Sequence, residues 1–288
     1  MNNGFSPSRR AWNRVMTILV WASAVLVMIL VAGIIGMVLV RGIPHISWKF
    51  LSTTASVLKK TDGILPAILN TLYVIVLTLL IVLPLGVGAA VYLTEYASNR
   101  RLIEVIEFTN ETLAGIPSII YGLVGMMVLV PGIRKVFHVP DGASLLAAII
   151  VLAIMILPSI IKVTVTALEA VPAEYEDASL ALGATPIETY FRVSVPAAKS
   201  GIAAAVVLGV GRAIGEAMAV MMVSGNATSR MPSLFESVRF LTTAVASEMS
   251  YSSGLQQQAL FSIALVLFLF IMLINAGLNL LLKRNKEG

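Results

Sequence analysis

The sequence predicts an all-α, polytopic membrane protein with about six transmembrane helices, and three observations carry that prediction. Of the 288 residues, 58% are hydrophobic and only 12% charged, with a mean hydropathy of +0.93. So few charges do not clothe a water-exposed surface. Long charge-free runs then occupy 15–40, 64–94, 112–133, 142–161 and 255–282, while 200–225 carries only Arg212 and Glu216. A hydrocarbon core of about 30 Å needs about 20 residues of helix, so each run is long enough to cross it. Finally, the runs are continuously apolar and do not alternate. That excludes barrel strands and favours helices, whose backbone groups are satisfied within one element.

The first run follows Arg9, Arg10 and Arg14 and resembles a secretory signal in its flanks, but its 26 apolar residues exceed a signal core. No small-residue cleavage site follows, so it reads as a retained anchor. The expected organisation is a tail at 1–14, a first helix with an outer loop at 15–63, a five-helix core at 64–282 and a tail at 283–288. An even number of crossings puts both termini on one side. Both are basic, with Lys283, Arg284 and Lys286 at the far end, which places them in the cytoplasm of a bacterial inner membrane. Eleven Lys and Arg residues then lie inside and eight outside.

Between the fourth and fifth runs lies the only long polar stretch of the cytoplasmic side, 163–198. It reads as a helix over 168–182 bearing Glu169, Glu174, Glu176 and Asp177, a break at Gly183, and a second helix over 187–193 opened by Pro186. On the outer side, 41–63 and 226–254 are long, and an amphipathic stretch at 234–245 would help form a cap. Pro84, Pro117 and Pro158 are expected to bend spans near Gly86, Gly115 and Gly122.

The chain has no cysteine, and its only histidines, His45 and His138, lie in separate loops. Disulfides, thiol catalysis and a metal site are therefore not expected. The net charge of +5 is spread over termini and short loops without a basic stripe, which fits topology and anionic lipid better than nucleic acid. No Gly-x-x-x-x-Gly-Lys-Ser/Thr phosphate loop occurs. An ATPase is not expected, nor is any other enzyme.

The polar segment carries a spaced pattern: Asp177-Ala178-Ser179, three residues, Gly183, nine residues, then Val193-Ser194-Val195-Pro196. It resembles the cytoplasmic-loop signature of type I ABC importer membrane subunits, Glu-Ala-Ala, three residues, Gly, nine residues, Ile-x-Leu-Pro. Physically, such a pattern makes a helix, a glycine-permitted turn and a second short helix, a rigid knob able to dock in a partner's groove. The alternative is a helix pair lying on the membrane, but four acidic residues would be repelled by anionic headgroups. The resemblance implies a MetI-like permease fold and a coupling segment at 168–197. It also implies a second homologous permease subunit, two ATP-binding subunits that hold ATP and Mg, and an extracytoplasmic binding protein. This chain itself would hold no cofactor.

Within that family, the chain is similar to the phosphate permeases. The similarity lies in Ile64-Leu65-Pro66-Ala67, Pro84-Leu85-Gly86-Val87-Gly88, Tyr92-Leu93-Thr94-Glu95-Tyr96, Leu113-Ala114-Gly115-Ile116-Pro117-Ser118, Ala181-Leu182-Gly183-Ala184-Thr185 and Gly211-Arg212-Ala213-Ile214-Gly215-Glu216. The first half resembles the A subunit of the phosphate-specific system, whereas Glu216-Ala217-Met218-Ala219-Val220 and Gly225-Asn226 resemble the C subunit. The balance leans to A. The cargo implied is phosphate.

The residues give a parallel reading. Arg212 lies 13 residues after Lys199, about 20 Å along a helix and so deep in the bilayer. A buried arginine there must face protein or a water-filled path, and a guanidinium fork suits an oxyanion. Arg212 is the candidate anion contact. Glu216, four residues on, is expected on the same helix face, either neutralising Arg212 or holding it in place. Asn70, Thr71 and Ser118 are further candidates for the pathway, although Ser and Thr in spans more often bond a helix backbone. The rival functions are a permease for another oxyanion and an ion-coupled secondary transporter.

Overall fold

The computed structural model describes residues 7–56, 61–97 and 99–284. Of the basic residues used for orientation, Lys59, Lys60 and Lys286 lie outside them. The chain opens with α1 (Pro7–Gly42), then the short α2 (Trp48–Ser52), and strands β1 (Thr54–Ser56) and β2 (Thr61–Ile64), paired antiparallel as a small hairpin. α3 (Leu65–Val91) follows, then α4 (Arg100–Gly115), α5 (Ser118–Val124), α6 (Val130–Phe137) and α7 (Leu145–Glu169). The polar segment forms α8 (Ala173–Ala181), α9 (Pro186–Thr189) and α10 (Val195–Ala197). The last third is α11 (Lys199–Gly215), α12 (Met218–Val223), α13 (Leu241–Glu248) and α14 (Gly254–Arg284). Among the described residues, three wide π turns interrupt the helical rods, at Tyr92–Tyr96, Gly125–Leu129 and Tyr190–Ser194.

α7 is the axis of the bundle. Its buried face, Leu145, Ile149, Leu152, Ile156 and Ile160, recurs at steps of three or four residues, the spacing of one helix face. Neighbours approach it through glycines. A Cβ on Gly86 of α3 would sit 2.7 Å from Ile160 Cγ2, and one on Gly209 of α11 would sit 2.8 Å from Ile160 Cδ1. Ile160 is thus a knob held between two glycine-bearing helices, the small-residue packing on which apolar bundles depend where no hydrophobic drive separates helix from lipid. By contrast, α1 leaves its apolar side chains open and meets α14 near its end, where Ser262 Oγ donates to the Gly42 carbonyl at 2.7 Å and Arg41 sits over Phe261.

Among the described residues, five helical stretches are long and apolar enough to span a membrane, or six if Pro186–Ala197 and Lys199–Gly215, bent by 63°, count as one crossing. The expected number therefore stands, with three boundaries moved. The third span begins at Ser118 and not at 112, because α4 ends before Ile116 and Pro117. α7 runs on to Glu169, so the helix expected over 168–182 is broken at Val171–Pro172 and α8 begins at Ala173. The run at 200–225 is not one rod: α11 stops at Gly215, Glu216 takes an extended conformation (φ −74°, ψ 126°), and α12 starts at Met218. Pro84 and Pro158 lie inside continuous α3 and α7, whereas Pro117 marks a real break.

Candidate functional site

The sequence candidates fall in three regions: inside the bundle, at its polar end and under the cap at the opposite end. In the bundle, Arg212 lies in the last turn of α11, where the helix dipole favours a cation. Its Nη1 donates to Ser159 Oγ of α7 at 2.8 Å. The guanidinium is also within electrostatic reach of Tyr121 on α5, whose hydroxyl donates to the Leu113 carbonyl at 2.7 Å and braces the α4–α5 break. The Arg212–Ser159 bond joins α11 to α7 around one half-buried charge.

Glu216 is not Arg212's partner. The expected shared helix face is lost because α11 ends between them, and the Glu216 carboxylate turns forward to accept the Ala219 N–H at 3.0 Å. It satisfies a free donor at the start of α12, as carboxylates at a helix start do. The broken backbone around Glu216 and Ala217 is the kind tolerated at membrane depth only where protein encloses it or water lines it. α12 packs tightly on α5: a Cβ on Gly122 would come within 2.8 Å of Ala219 Cα.

The other pathway candidates lie elsewhere. Asn70 and Thr71 are buried in the first turns of α3, at the end where the 224–253 segment folds over. Asn70 Nδ2 donates to the carbonyls of Arg230 and Arg239 at 3.0 and 3.3 Å, and Thr71 Oγ1 accepts the Leu241 N–H at 3.1 Å. These two residues therefore anchor a cap, and their surroundings do not join them to Arg212. Within that cap, Arg239 is 9% exposed and bonds Glu248 at 2.5 Å. The amphipathic stretch expected at 234–245 is helical only from Leu241 to Glu248. Ser118 is half-buried at the start of α5.

At the polar end, α8 closes with a Schellman turn: the Gly183 N–H donates to the Leu180 carbonyl at 2.9 Å and the Ala184 N–H to the Ser179 carbonyl at 3.3 Å. Gly183 adopts φ +87° with open space around it, so backbone conformation and not crowding requires glycine there. Thr185 then opens α9 with a capping box. Its hydroxyl accepts the Glu188 N–H, and Glu188 accepts the Thr185 N–H at 3.1 Å. This bond, followed by that from the Thr185 hydroxyl, holds the fully exposed Glu188 carboxyl below its ordinary value.

Asp177 and Ala178 are exposed on α8 and Ser179 is half-buried. Val193 lies in the third π turn, and Val195 and Pro196 begin α10. Two side-chain bonds brace the pieces: Ser179 Oγ to Thr189 Oγ1 at 2.9 Å, and Ser194 Oγ to Glu176 Oε1 at 2.6 Å. Leu182, 90% exposed, tips the turn. A firm knob with an unfilled apolar tip suits docking on another protein.

Residues 82–287 match the family model described as binding-protein-dependent transport system inner membrane component. The chain belongs to this family. It is a membrane permease subunit of an ABC importer, a multi-pass and non-catalytic component. The probable ABC transporter permease YqgH of Bacillus subtilis is 42% identical over 218 residues, covering 74% of this chain and 70% of that protein. The phosphate transport system permease PstC of Pasteurella multocida is 36% identical over 251 residues, covering 80% and 78%. In fold, the permease resembles a chain of the inward-facing MetNI methionine ABC transporter, with a TM-score of 0.56, 21% identity, and 77% and 94% of the two chains covered. Other phosphate-system relatives are of the C type as well, which corrects the leaning to the A type drawn from the motifs of the first half.

Sequence reasoning missed Ser159, Tyr121 and the ties that brace the knob. Ser159 and Tyr121 stand in no motif, and the packing of α11 on α7 brings Ser159 to Arg212; Ser179 and Ser194 stand in the spaced pattern, but their partners do not follow from it.

Proposed function

We propose that this permease is the C-type half of the pore of an ATP-driven phosphate importer in a bacterial inner membrane, with both termini in the cytoplasm. The observation that carries the reading is Arg212: a half-buried guanidinium whose bonded partner is the neutral Ser159 hydroxyl. A carboxylate partner would cancel its field, whereas a hydroxyl leaves it available to an oxyanion. The named phosphate permeases among its relatives support phosphate as that anion.

In this reading a second homologous permease completes the pore, an extracytoplasmic binding protein delivers phosphate, and two ATP-binding subunits dock on the knob formed by 173–197. ATP binding turns the bundle outward, the anion meets Arg212, and hydrolysis reopens the path inward. Release requires moderate affinity, and a single guanidinium beside a hydroxyl supplies that. Asn70 and Thr71 act by fastening the outer cap, and Glu216 acts by fixing the break that sets Arg212 at the end of its helix.

The test is phosphate uptake by the reconstituted importer carrying Arg212→Gln. Uptake falls to background while the complex still assembles and its ATPase still turns over. Unchanged uptake would remove Arg212 from the pathway. Uptake of sulfate or a phosphonate in preference to phosphate would instead assign another oxyanion.

A further inference from the structure

The polar knob is covalently joined to α7 through Val171–Pro172 and to α11 through Ala198, so movement of the knob reaches those helices directly. α3 has no such connection, since its last residues precede the knob by more than seventy positions. Yet the two touch at one polar contact, Thr94 Oγ1 to the Tyr190 hydroxyl at 2.6 Å. Thr94 also donates to the Ala90 carbonyl at 3.0 Å, which leaves the phenol as donor to Thr94. Around this bond Tyr190, 3% exposed, is packed with Ala90, Val91, Leu168 and Ala198.

Both partners sit in π turns. Thr94 lies in Tyr92–Tyr96 and Tyr190 opens Tyr190–Ser194, which are two of the three such turns among the described residues. A π turn carries an extra residue in a helical ladder with poorer bonding, and such turns gather at functional positions. On the knob's side, the Ser179–Thr189 and Ser194–Glu176 bonds make α8, α9 and the π turn move together, so Tyr190 moves with them.

We propose that Tyr190 is a positioning residue of the transport cycle. Through its hydrogen bond to Thr94 it passes displacement of the knob to α3, the one helix of the α3–α7–α11 packing that the knob does not continue into. The proposal rests on the reading of the knob as the ATPase docking element. Rigid coupling through one short bond between two adaptable turns lets α3 follow the knob without unwinding.

The experiment uses the complete importer in proteoliposomes, with its binding protein, and reads phosphate imported per ATP hydrolysed. Tyr190→Phe and Thr94→Val each remove the bond and keep the packed volume. Each variant is expected to assemble and to hydrolyse ATP, with import per ATP reduced by about fivefold, the size of one lost hydrogen bond. The double variant should be no worse than either single one, because the two residues act as a unit, and Thr94→Ser should restore coupling. Unchanged import per ATP in both variants overturns the link, as do losses that multiply in the double variant. Failure of both to assemble also overturns it, since the bond would then hold the fold and not carry motion. Gly183→Pro separates the two readings: if it leaves import per ATP intact, docking itself fails, whereas uncoupling by Gly183→Pro with wild-type behaviour in Tyr190→Phe defeats the link alone.

Discussion

Placing a guanidinium at the middle of an apolar bundle costs about 2.5–3.5 kcal/mol on insertion scales, and the way that cost is offset decides what the residue can do. An ion pair with Glu216 would have offset it by cancelling the charge. The structure uses the Ser159 hydroxyl and the C-terminal end of α11 instead, so the charge persists. Ser159→Asp is therefore expected to abolish phosphate uptake by supplying the cancelling carboxylate, while Ser159→Ala keeps most of it; transport assays on the two variants decide. Glu216→Gln keeps an acceptor for the Ala219 N–H and should transport, whereas Glu216→Ala exposes that donor and should lower both uptake and thermal stability. Arg212 and Glu216 were legible as candidates because charges in charge-free runs are conspicuous. Their relation was not legible, because a spacing of four places two residues on one face only if the helix continues between them.

The knob depends on two local devices, a glycine turn that the sequence announces and a capping box that the structure adds. Gly183 at φ +87° ends α8, and an L-residue there costs about 1–2 kcal/mol. Gly183→Ala should thus loosen the knob and reduce import per ATP without affecting insertion. Thr185 caps α9, and Thr185→Ala should cost about 0.5–2 kcal/mol locally. The box also has a pH dependence with a definite sign. Because the Glu188 carboxyl is held below its ordinary value of 4.5, the stabilisation is present at neutral pH and is lost as pH falls through the depressed folded value. Glu188→Gln retains a box that does not titrate, so coupling measured at falling pH should decline in the wild type and not in the variant. The glycine and the Pro186 start were visible beforehand, whereas the Thr185–Glu188 box came from the structure. The start of α8 was not, because Val171–Pro172 interrupts a stretch whose Ala and Leu content reads as one helix.

For the bundle as a whole, close approach of glycine-bearing helices to α7 and between α5 and α12 replaces the hydrophobic drive that lipid removes. Gly122→Leu should therefore separate α12 from α5, since its Cβ would meet backbone at 2.8 Å and a backbone does not yield as a side-chain tip does. Overpacking of this kind costs about 1–3 kcal/mol. Reduced thermal stability of the purified complex, together with lost uptake, is the expected result. Truncation of α1 is expected to be milder, because its described contacts concentrate near Gly42 against α14.

By itself the sequence determined what depends on solvent and local geometry: apolar runs must be helices in lipid, Gly183 must turn, and the spaced polar segment reads as a helix, a turn and a second short helix. Three things waited for the tertiary structure: the break at Glu216, the pairing of Arg212 with Ser159, and the bond from Tyr190 to Thr94. Each of the two bonds joins residues separated by tens of positions, 53 for Arg212–Ser159 and 96 for Thr94–Tyr190. Such partners are chosen by how helices pack, and packing is a property of the whole chain that no local pattern encodes.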